Sequence, residues 1–287
     1  MAEKTLDLDV LTKIDALKRV VRQLKNNGQT IGLVPTMGAL HEGHLSLVRE
    51  SVRSSDQTIV TIFVNPTQFA PTEDLDLYPQ TLEADVARLQ AEGVDFVFAP
   101  ARGEIYPASF SSSIVPPAIA KRLEGEFRPS HFAGVATVVL KLLNLTEADV
   151  AFFGQKDFQQ VMVIKQMVAD LNVPTEIKIC PIVRDDDGLA LSSRNAYLTE
   201  EQRVVALSLS QTLNHVEEQI RSGQRDGFEV ITEMRQMLID AGVESIDYAV
   251  VANPNTLATV DPIELPIVAL IAAHVGNTRL IDNRVIA

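Results

Sequence analysis

One cysteine, Cys180, stands in the 287 residues. A disulfide framework within the chain is therefore excluded, which fits a reducing, cytoplasmic compartment. Positive charge is short as well: 25 Lys and Arg against 38 Asp and Glu leave a formal net charge of -13. That excludes a broad phosphate-neutralising surface and, with it, nucleic acid as a partner. The acidity reads as a solubility device. Long apolar runs are missing too. The stretch Leu265–Ala273 is too short to span a bilayer, so no membrane association is expected. The opening MAEKTLDLDV has no basic stretch followed by an apolar one, so no secretory signal is expected. No internal repeat or low-complexity tract is visible. What the chain does have is 46% hydrophobic residues, enough for one large core or two of ordinary size.

Apolar runs alternate with helical patterns through the first two thirds. Strands are expected at Ile31–Val34, Thr58–Val64, Phe96–Phe98, Val150–Phe153 and Glu176–Cys180. Helices are expected at Leu11–Asn26, His44–Ser54, Thr81–Glu92, Gly134–Leu145 and Phe158–Leu171, with Thr81 as an N-cap and Gly93 closing the same helix. This alternation predicts βαβ units and a parallel sheet covered on both faces. After about Val183 the pattern changes. Asp185–Gly188 reads as a charged turn, and Thr199 with Gln202 as a capping box opening a helix to about Ser222. A helix over Phe228–Ala241 and strands at Ser245–Val251 and Pro266–His274 follow. The expected fold is thus α/β: a Rossmann-like, doubly wound parallel sheet over residues 1–183 and a smaller α+β domain over 184–287. Ser109–Pro117 reads as a surface excursion.

The segment IGLVPTMGALHEGHLS, residues 31–46, carries the most chemistry. An apolar strand runs into a turn broken by Pro35, Gly38 and Gly43, and an amphipathic helix follows. In open α/β sheets a nucleotide phosphate is held at such a turn. His41 and His44, three apart, share one face of the first helical turn. Two cation-capable donors at the positive end of a helix dipole suit negative charge on phosphate. A metal site is the weaker reading: Cys180 is the only thiol, and the glutamate lies between the histidines rather than in the order of a zinc protease.

Four further groups stand where strands end or domains meet. Gly154-Gln-Lys-Asp157 ends the strand Val150–Phe153, with Lys156 able to neutralise a phosphate oxygen. Leu191-Ser-Ser-Arg-Asn195 offers two hydroxyls and a guanidinium as an anion clamp, and equally a polar linker. Asn65-Pro-Thr-Gln68 follows the strand Thr58–Val64, where polar groups line a ligand crevice. Arg128 and His131 sit near a helix start, where a packing role explains them equally well. Together these groups describe a site for a triphosphate and a small polar acid.

At these residues the chain resembles the pantothenate synthetase (pantoate–β-alanine ligase) family. The matching motifs are PTMGALHEGHLSL at 35–47, IFVNPTQF at 62–69, HFAGVATVVLKLL at 131–143, FFGQKDFQQ at 152–160 and RDDDGLALSSRNAYL at 184–198. HEGH is similar to the HIGH signature of the HxGH nucleotidylyltransferase superfamily, and LSSRN stands in the place of its mobile KMSKS-type loop. The resemblance implies that the carboxylate of (R)-pantoate attacks the α-phosphorus of ATP, giving pantoyl adenylate and pyrophosphate. β-Alanine then displaces AMP to give pantothenate. It implies Mg²⁺ beside the triphosphate, held mainly by phosphate oxygens, and a homodimer through the N-terminal domain.

The same resemblance assigns positions. Met37, Gly38, Ala39, Leu40, His41, Glu42, Gly43 and His44 would line ATP, as would Gly154, Gln155, Lys156, Asp157, Val183, Leu191, Ser192, Ser193 and Arg194. His41 and His44 would contact the phosphates, with His41 as proton donor. Lys156, Ser192, Ser193 and Arg194 would stabilise phosphate charge. Gln68 and Gln160 would hold pantoate, Gln68 also lying near β-alanine. The loop Asn65–Tyr78 and the segment 185–195 would act as lids. Two positions depart from the family pattern: Leu191 stands where methionine is usual, and Gln155 where glutamate is common. Three other readings compete: another HxGH-type adenylyltransferase, a class I aminoacyl-tRNA synthetase remnant, which the acidity disfavours, and a non-catalytic nucleotide sensor.

Overall fold

The computed structural model describes residues 8–70, Leu75 and 78–287. The segment read for a targeting signal lies largely outside these residues, as does much of the Asn65–Tyr78 loop. Six parallel strands form the first sheet: β1 (Asp9–Leu11), β2 (Ile31–Thr36), β3 (Gln57–Ile62), β4 (Phe96–Phe98), β5 (Val150–Gly154) and β6 (Glu176–Cys180). Their spatial order is β1-β4-β3-β2-β5-β6. The order reverses between β2 and β5, and a crevice opens past the carboxyl ends of strands at such a reversal.

Helices cover both faces, as a parallel sheet requires. On one side α1 (Ile14–Asn26), α6 (His131–Thr146) and α7 (Phe158–Asp170) bury Leu17, Val21, Val135, Val139, Val161 and Ile164 against Leu33 and Ile59. On the other, α2 (Glu42–Ser54) and α3 (Leu82–Ala91) bury Leu45, Val48 and Leu89 against Val34, Val60 and Val97. Two one-turn helices, α4 (Arg102–Ile105) and α5 (Glu124–Phe127), punctuate the connection from β4 to α6. Residues 109–117 carry no regular structure and are mostly exposed, as expected for an excursion.

A second, antiparallel sheet holds β7 (Ser245–Ala252), β8 (Ile267–Val275) and β9 (Thr278–Ile286) in that order. One face packs on α8 (Glu200–Arg221) and α9 (Gly227–Asp240) through Leu209, Leu213, Val230 and Met234. The other face meets Phe158, Ile119 and Leu123 of the first unit through Tyr248, Val268, Leu270 and Ala272. Covered on both sides, β8 is buried throughout except at His274, which explains its unbroken apolar sequence.

Some local expectations differ from the structure. The N-terminal helix starts at Ile14, because residues 9–11 pair with β4 as an edge strand. β9 is a strand that the sequence pattern does not predict, since Arg279, Asp282, Asn283 and Arg284 interrupt its apolar alternation. Thr81 precedes α3 but does not cap it with its side chain. The Thr199–Gln202 capping box does form. Among the described residues no helix is long and apolar enough to cross a membrane.

Candidate active site

β2 delivers the chain to the crevice at Thr36. The following turn places Gly38 and Ala39 at φ 86° and 51°. A positive φ at alanine persists only where the surroundings hold it. Asp85 of α3, 2% exposed, does so. Its carboxylate accepts from the backbone N–H of Ala39 and of Leu40, each at 2.9 Å, and from the Thr81 hydroxyl at 2.9 Å. The Thr81 oxygen also accepts from the Ala39 N–H at 3.2 Å, so the hydroxyl serves the turn and Asp85 instead of a backbone N–H of its own helix. Arg88 donates to the Leu40 carbonyl and closes the support from the same helix.

The turn opens α2 with its two histidines locked together. His41 Nδ1 accepts from the Gly43 N–H at 3.2 Å, and His44 Nδ1 accepts from the His41 N–H at 3.3 Å. This is a capping box built from imidazoles. Because each Nδ1 accepts, the proton of each neutral ring sits on Nε2. Burial, then the charge of Lys156, pushes the His41 pKa down to about 4. Burial, then His41 and Lys156, brings His44 to about 3. The rings are therefore neutral N–H donors in the ligand-free protein, not the cations that their position at the helix dipole suggests. Their centroids lie 4.1 Å apart, and a second positive charge at that distance is unfavourable. Gly43 permits the arrangement: a Cβ there would meet His41 Cε1 at 2.9 Å and Leu191 Cβ at 3.7 Å.

Across the crevice β5 ends at Gly154 and one 3₁₀ turn, Gln155–Asp157, leads into α7. Lys156 and Asp157 line the crevice. The Gln155 side chain turns to β9 instead, its Nε2 donating to Asn283 Oδ1 at 3.2 Å. The amide at this position, where the resemblance leads one to expect glutamate, thus makes a structural contact. The third wall is the segment after Val183. Leu191 N–H bonds to the Val183 carbonyl at 3.0 Å, and Asp185–Gly188 forms the expected turn. Ser193–Tyr197 is a 3₁₀ helix capped by Ser192, whose oxygen accepts from the Arg194 N–H at 3.3 Å, leaving the hydroxyl proton to donate.

Another part of the crevice is built around Asn65, 1% exposed. Its Oδ1 accepts from Tyr106 OH at 2.9 Å and from Thr67 Oγ1 at 2.9 Å. Its Nδ2 donates to Gln68 Oε1 at 3.0 Å and to the Gly134 carbonyl at 3.2 Å. With its oxygen occupied, Gln68 presents its amide N–H group, which lies 3.2 Å from Met37 Sδ. His131 Nδ1 is 3.0 Å from the Gln68 carbonyl. A carbonyl only accepts, so this ring carries its proton on Nδ1, the opposite tautomer to His41 and His44. Arg128 Nη1 donates to Glu124 at 3.2 Å. Gln160 lines the crevice as well, whereas its neighbour Gln159 is buried and holds the carbonyls of Ile119 and Arg122 at 2.9 and 2.7 Å.

These walls enclose one cleft of about 1110 Å³ between the two sheets. Met37, His41, Gly43, His44, Gln68, Gly154, Lys156, Asp157, Gln160, Val183, Leu191, Ser192, Ser193 and Arg194 line it. Gly38, Ala39, Leu40, Glu42 and Gln155 do not. Leu40 is 3% exposed in the apolar core beside α2, and Glu42 pairs with Arg49 on the surface. Sequence reasoning missed Asp85, Tyr106, Glu124, Arg279, Asp282 and Asn283. The available signal was charge in apolar surroundings, clearest in Thr278-Arg-Leu-Ile-Asp-Asn283.

Glu124 joins the two units. Arg279 Nη1 and Nη2 each reach it at 2.8 Å, and Tyr248 OH donates to it at 3.2 Å. Arg279 Nε also donates to Asp247 at 2.7 Å. Burial pushes the Glu124 carboxyl up, but Arg279 and Arg128 outweigh it and hold the pKa below the ordinary carboxylate value.

The model of the pantoate-beta-alanine ligase family matches residues 9–285. A pantothenate synthetase of Rhodopirellula baltica is 50% identical over 280 residues, covering 96% of this chain and 98% of that one. One from Caldicellulosiruptor bescii is 48% identical over 277 residues, with 96% and 98% covered. The crystal structure of pantothenate synthetase from Thermus thermophilus superposes with a TM-score of 0.92 at 38% identity, covering 96% of this chain and 99% of that one. A pantoate-beta-alanine ligase from Francisella tularensis, complexed with beta-gamma ATP and beta-alanine, gives 0.81 at 36% identity, covering 97% of each. Matched along nearly its whole length in sequence and in fold, the chain belongs to the pantoate-beta-alanine ligase family.

Proposed function

We propose that this chain joins (R)-pantoate to β-alanine at the expense of ATP, through a pantoyl-adenylate intermediate. A pantoate carboxylate oxygen attacks the α-phosphorus, and the bond to pyrophosphate breaks. The β-alanine amine then attacks the acyl carbon, AMP leaves, and the amine loses a proton. The observation that carries this reading is the cleft itself. Two imidazoles with their donor protons on Nε2, Lys156, the Ser192–Arg194 segment and the Gln68 amide all line it.

The chemistry asks for little else. Charge builds on the equatorial oxygens of the attacked phosphorus, so fixed donors lower the barrier. Neutral His41 and His44 supply such donors without desolvating a charge. A triphosphate against the His41 ring raises its pKa from about 4, the condition for a proton-donor role. Lys156 and Arg194 neutralise the pyrophosphate, while Gln68 and Gln160 hold pantoate. Mg²⁺ would enter with ATP. It would be carried mainly by phosphate oxygens; among the described residues no group of three His, Cys, Asp or Glu could hold an ion. Bound there, it would neutralise charge on the triphosphate.

The rest of the reading concerns organisation. The division near 183/184 is supported by the separate apolar clusters under the two sheets. Movement of residues 185–195 would close the cleft over the adenylate and exclude water. A homodimer through the N-terminal domain rests on the family likeness and is tested by sedimentation velocity, while a cytoplasmic location rests on the single cysteine.

The deciding experiment is release of AMP and pyrophosphate from ATP and Mg²⁺. AMP release that needs both pantoate and β-alanine is expected. ATP bound without turnover would instead support a nucleotide sensor, and turnover with a phosphate acceptor another adenylyltransferase.

A further inference from the structure

β9 carries two adjacent buried polar residues, Asp282 at 3% and Asn283 at 2% exposure. Each reaches a different wall of the nucleotide end. Asn283 Nδ2 donates to the carbonyls of Gln155 at 3.0 Å and Lys156 at 2.9 Å, while its Oδ1 accepts from Gln155 Nε2 at 3.2 Å. The reversed amide would set an oxygen against two carbonyls, so the orientation is determined. Asp282 takes the Arg184 guanidinium in two-pronged fashion at 2.7 and 2.9 Å. Arg184 Nη1 also holds the Gly188 carbonyl at 3.1 Å, closing the turn that leads into Leu191–Arg194. The two side chains are tied together, since Asp282 Oδ1 accepts from the Asn283 N–H at 2.7 Å.

We infer that Asp282 and Asn283 are positioning residues that set the two phosphate-binding segments at their working separation, Asn283 through Lys156 and Asp282 through Ser192–Arg194. The inference rests on the assignment of Lys156 and Arg194 to the ATP phosphates. Donors from both segments must meet one triphosphate at once, and a misplacement of about 1 Å costs about 10²-fold in rate. The two segments are separated by α7 and β6 in the chain, and β9 supplies their shared reference. A merely adhesive role would instead weaken folding and disturb every substrate alike.

The test is a double-mutant cycle of Asn283→Ala and Lys156→Ala, read by pantoate-dependent exchange of pyrophosphate into ATP and by thermal unfolding. Asn283→Ala is expected to slow exchange about 10–100-fold. Added to Lys156→Ala it should cost nothing further, because both act through one ammonium group. Multiplicative losses, or exchange within twofold of wild type in Asn283→Ala, overturn the inference. Exchange within twofold of wild type in Lys156→Ala itself overturns the phosphate assignment beneath it, a separate and recognisable failure. Asp282→Asn keeps the shape and weakens the grip on Arg184, and serves if Asn283→Ala does not fold. It should raise the KM for ATP about tenfold and leave that for β-alanine unchanged. Equal shifts in both would mark the pair as adhesive only.

Discussion

The imidazoles of His41 and His44 owe their state to surroundings more than to type. At pH 7 each His41 and His44 ring accepts a backbone N–H at Nδ1, so each offers one Nε2 proton to the cleft. Removing His41 or Lys156 by alanine substitution should slow adenylate formation about 10²–10³-fold, the scale for one transition-state donor. Pyrophosphate exchange measures it, and a rate within twofold of wild type removes that residue from the chemistry. The pKa values also predict a pH dependence of stability. The native values, about 4 and about 3, lie below the ordinary 6.5, so between them the unfolded chain binds more protons. Their contribution is complete above pH 6.5 and is lost as the pH falls toward 4. Urea midpoints should be level from pH 7 to 8 and drop below 6. Imidazole nitrogen NMR showing His41 protonated at pH 6 in the free protein would refute this. The histidine pair was legible because its spacing and the preceding strand are local. Its charge state was not, since Lys156 and Leu191, which stand beside the pair, come from distant parts of the chain.

Among the elements, the contact between α6 and the 3₁₀ turn Pro66–Gln68 places Gln68. A Cβ on Gly134 would lie 2.3 Å from the Thr67 carbonyl oxygen and 2.6 Å from the Gln68 nitrogen. Alanine at this helical position would otherwise add about 1 kcal/mol of helix propensity. The collision is with backbone and cannot be relieved by a side-chain rotation, so the clash wins. Gly134→Ala should destabilise the protein by about 1–3 kcal/mol and raise the KM for pantoate more than that for ATP. Urea unfolding and steady-state kinetics check the two halves, and a variant more stable than wild type with unchanged pantoate KM would reject the account. The strand–helix alternation that places these elements was readable, because a parallel sheet buried on both faces requires unbroken apolar runs. β1 was not, being three residues with little burial of its own and its pairing supplied by β4. β9 was hidden because its polar residues answer to distant partners, Arg279, Asp282 and Asn283 at the cleft and Arg284 at Glu217 of α8.

For the whole molecule, the junction of the two sheets decides whether there is a site at all. Glu124 lies at its centre, its side chain 9% exposed, between Arg128 of its own unit and Arg279 of the other. Removing one partner of a buried charged group leaves the others uncompensated. Glu124→Ala should therefore cost about 3–5 kcal/mol of stability, measured by chemical denaturation at pH 7. A loss below about 1 kcal/mol would mean that the apolar contact of Phe158 with the second sheet suffices. The Glu124 pKa is lowered from 4.5, so its share of stability is present above that value and fades as the pH falls through the native pKa.

The sequence by itself determined the parallel α/β sheet, the glycine-broken turn with His41 and His44 at a helix start, and the polar groups at the strand ends. Each is a local pattern, written in residues a few positions apart. Only the tertiary structure decided which tautomer those histidines adopt, that Asp85 holds the turn before them, that Gln155 faces β9 instead of the cleft, and that Asp282 and Asn283 tie two distant segments together. The partner of a buried polar group is chosen through space, and neither periodicity nor propensity along the chain carries that choice.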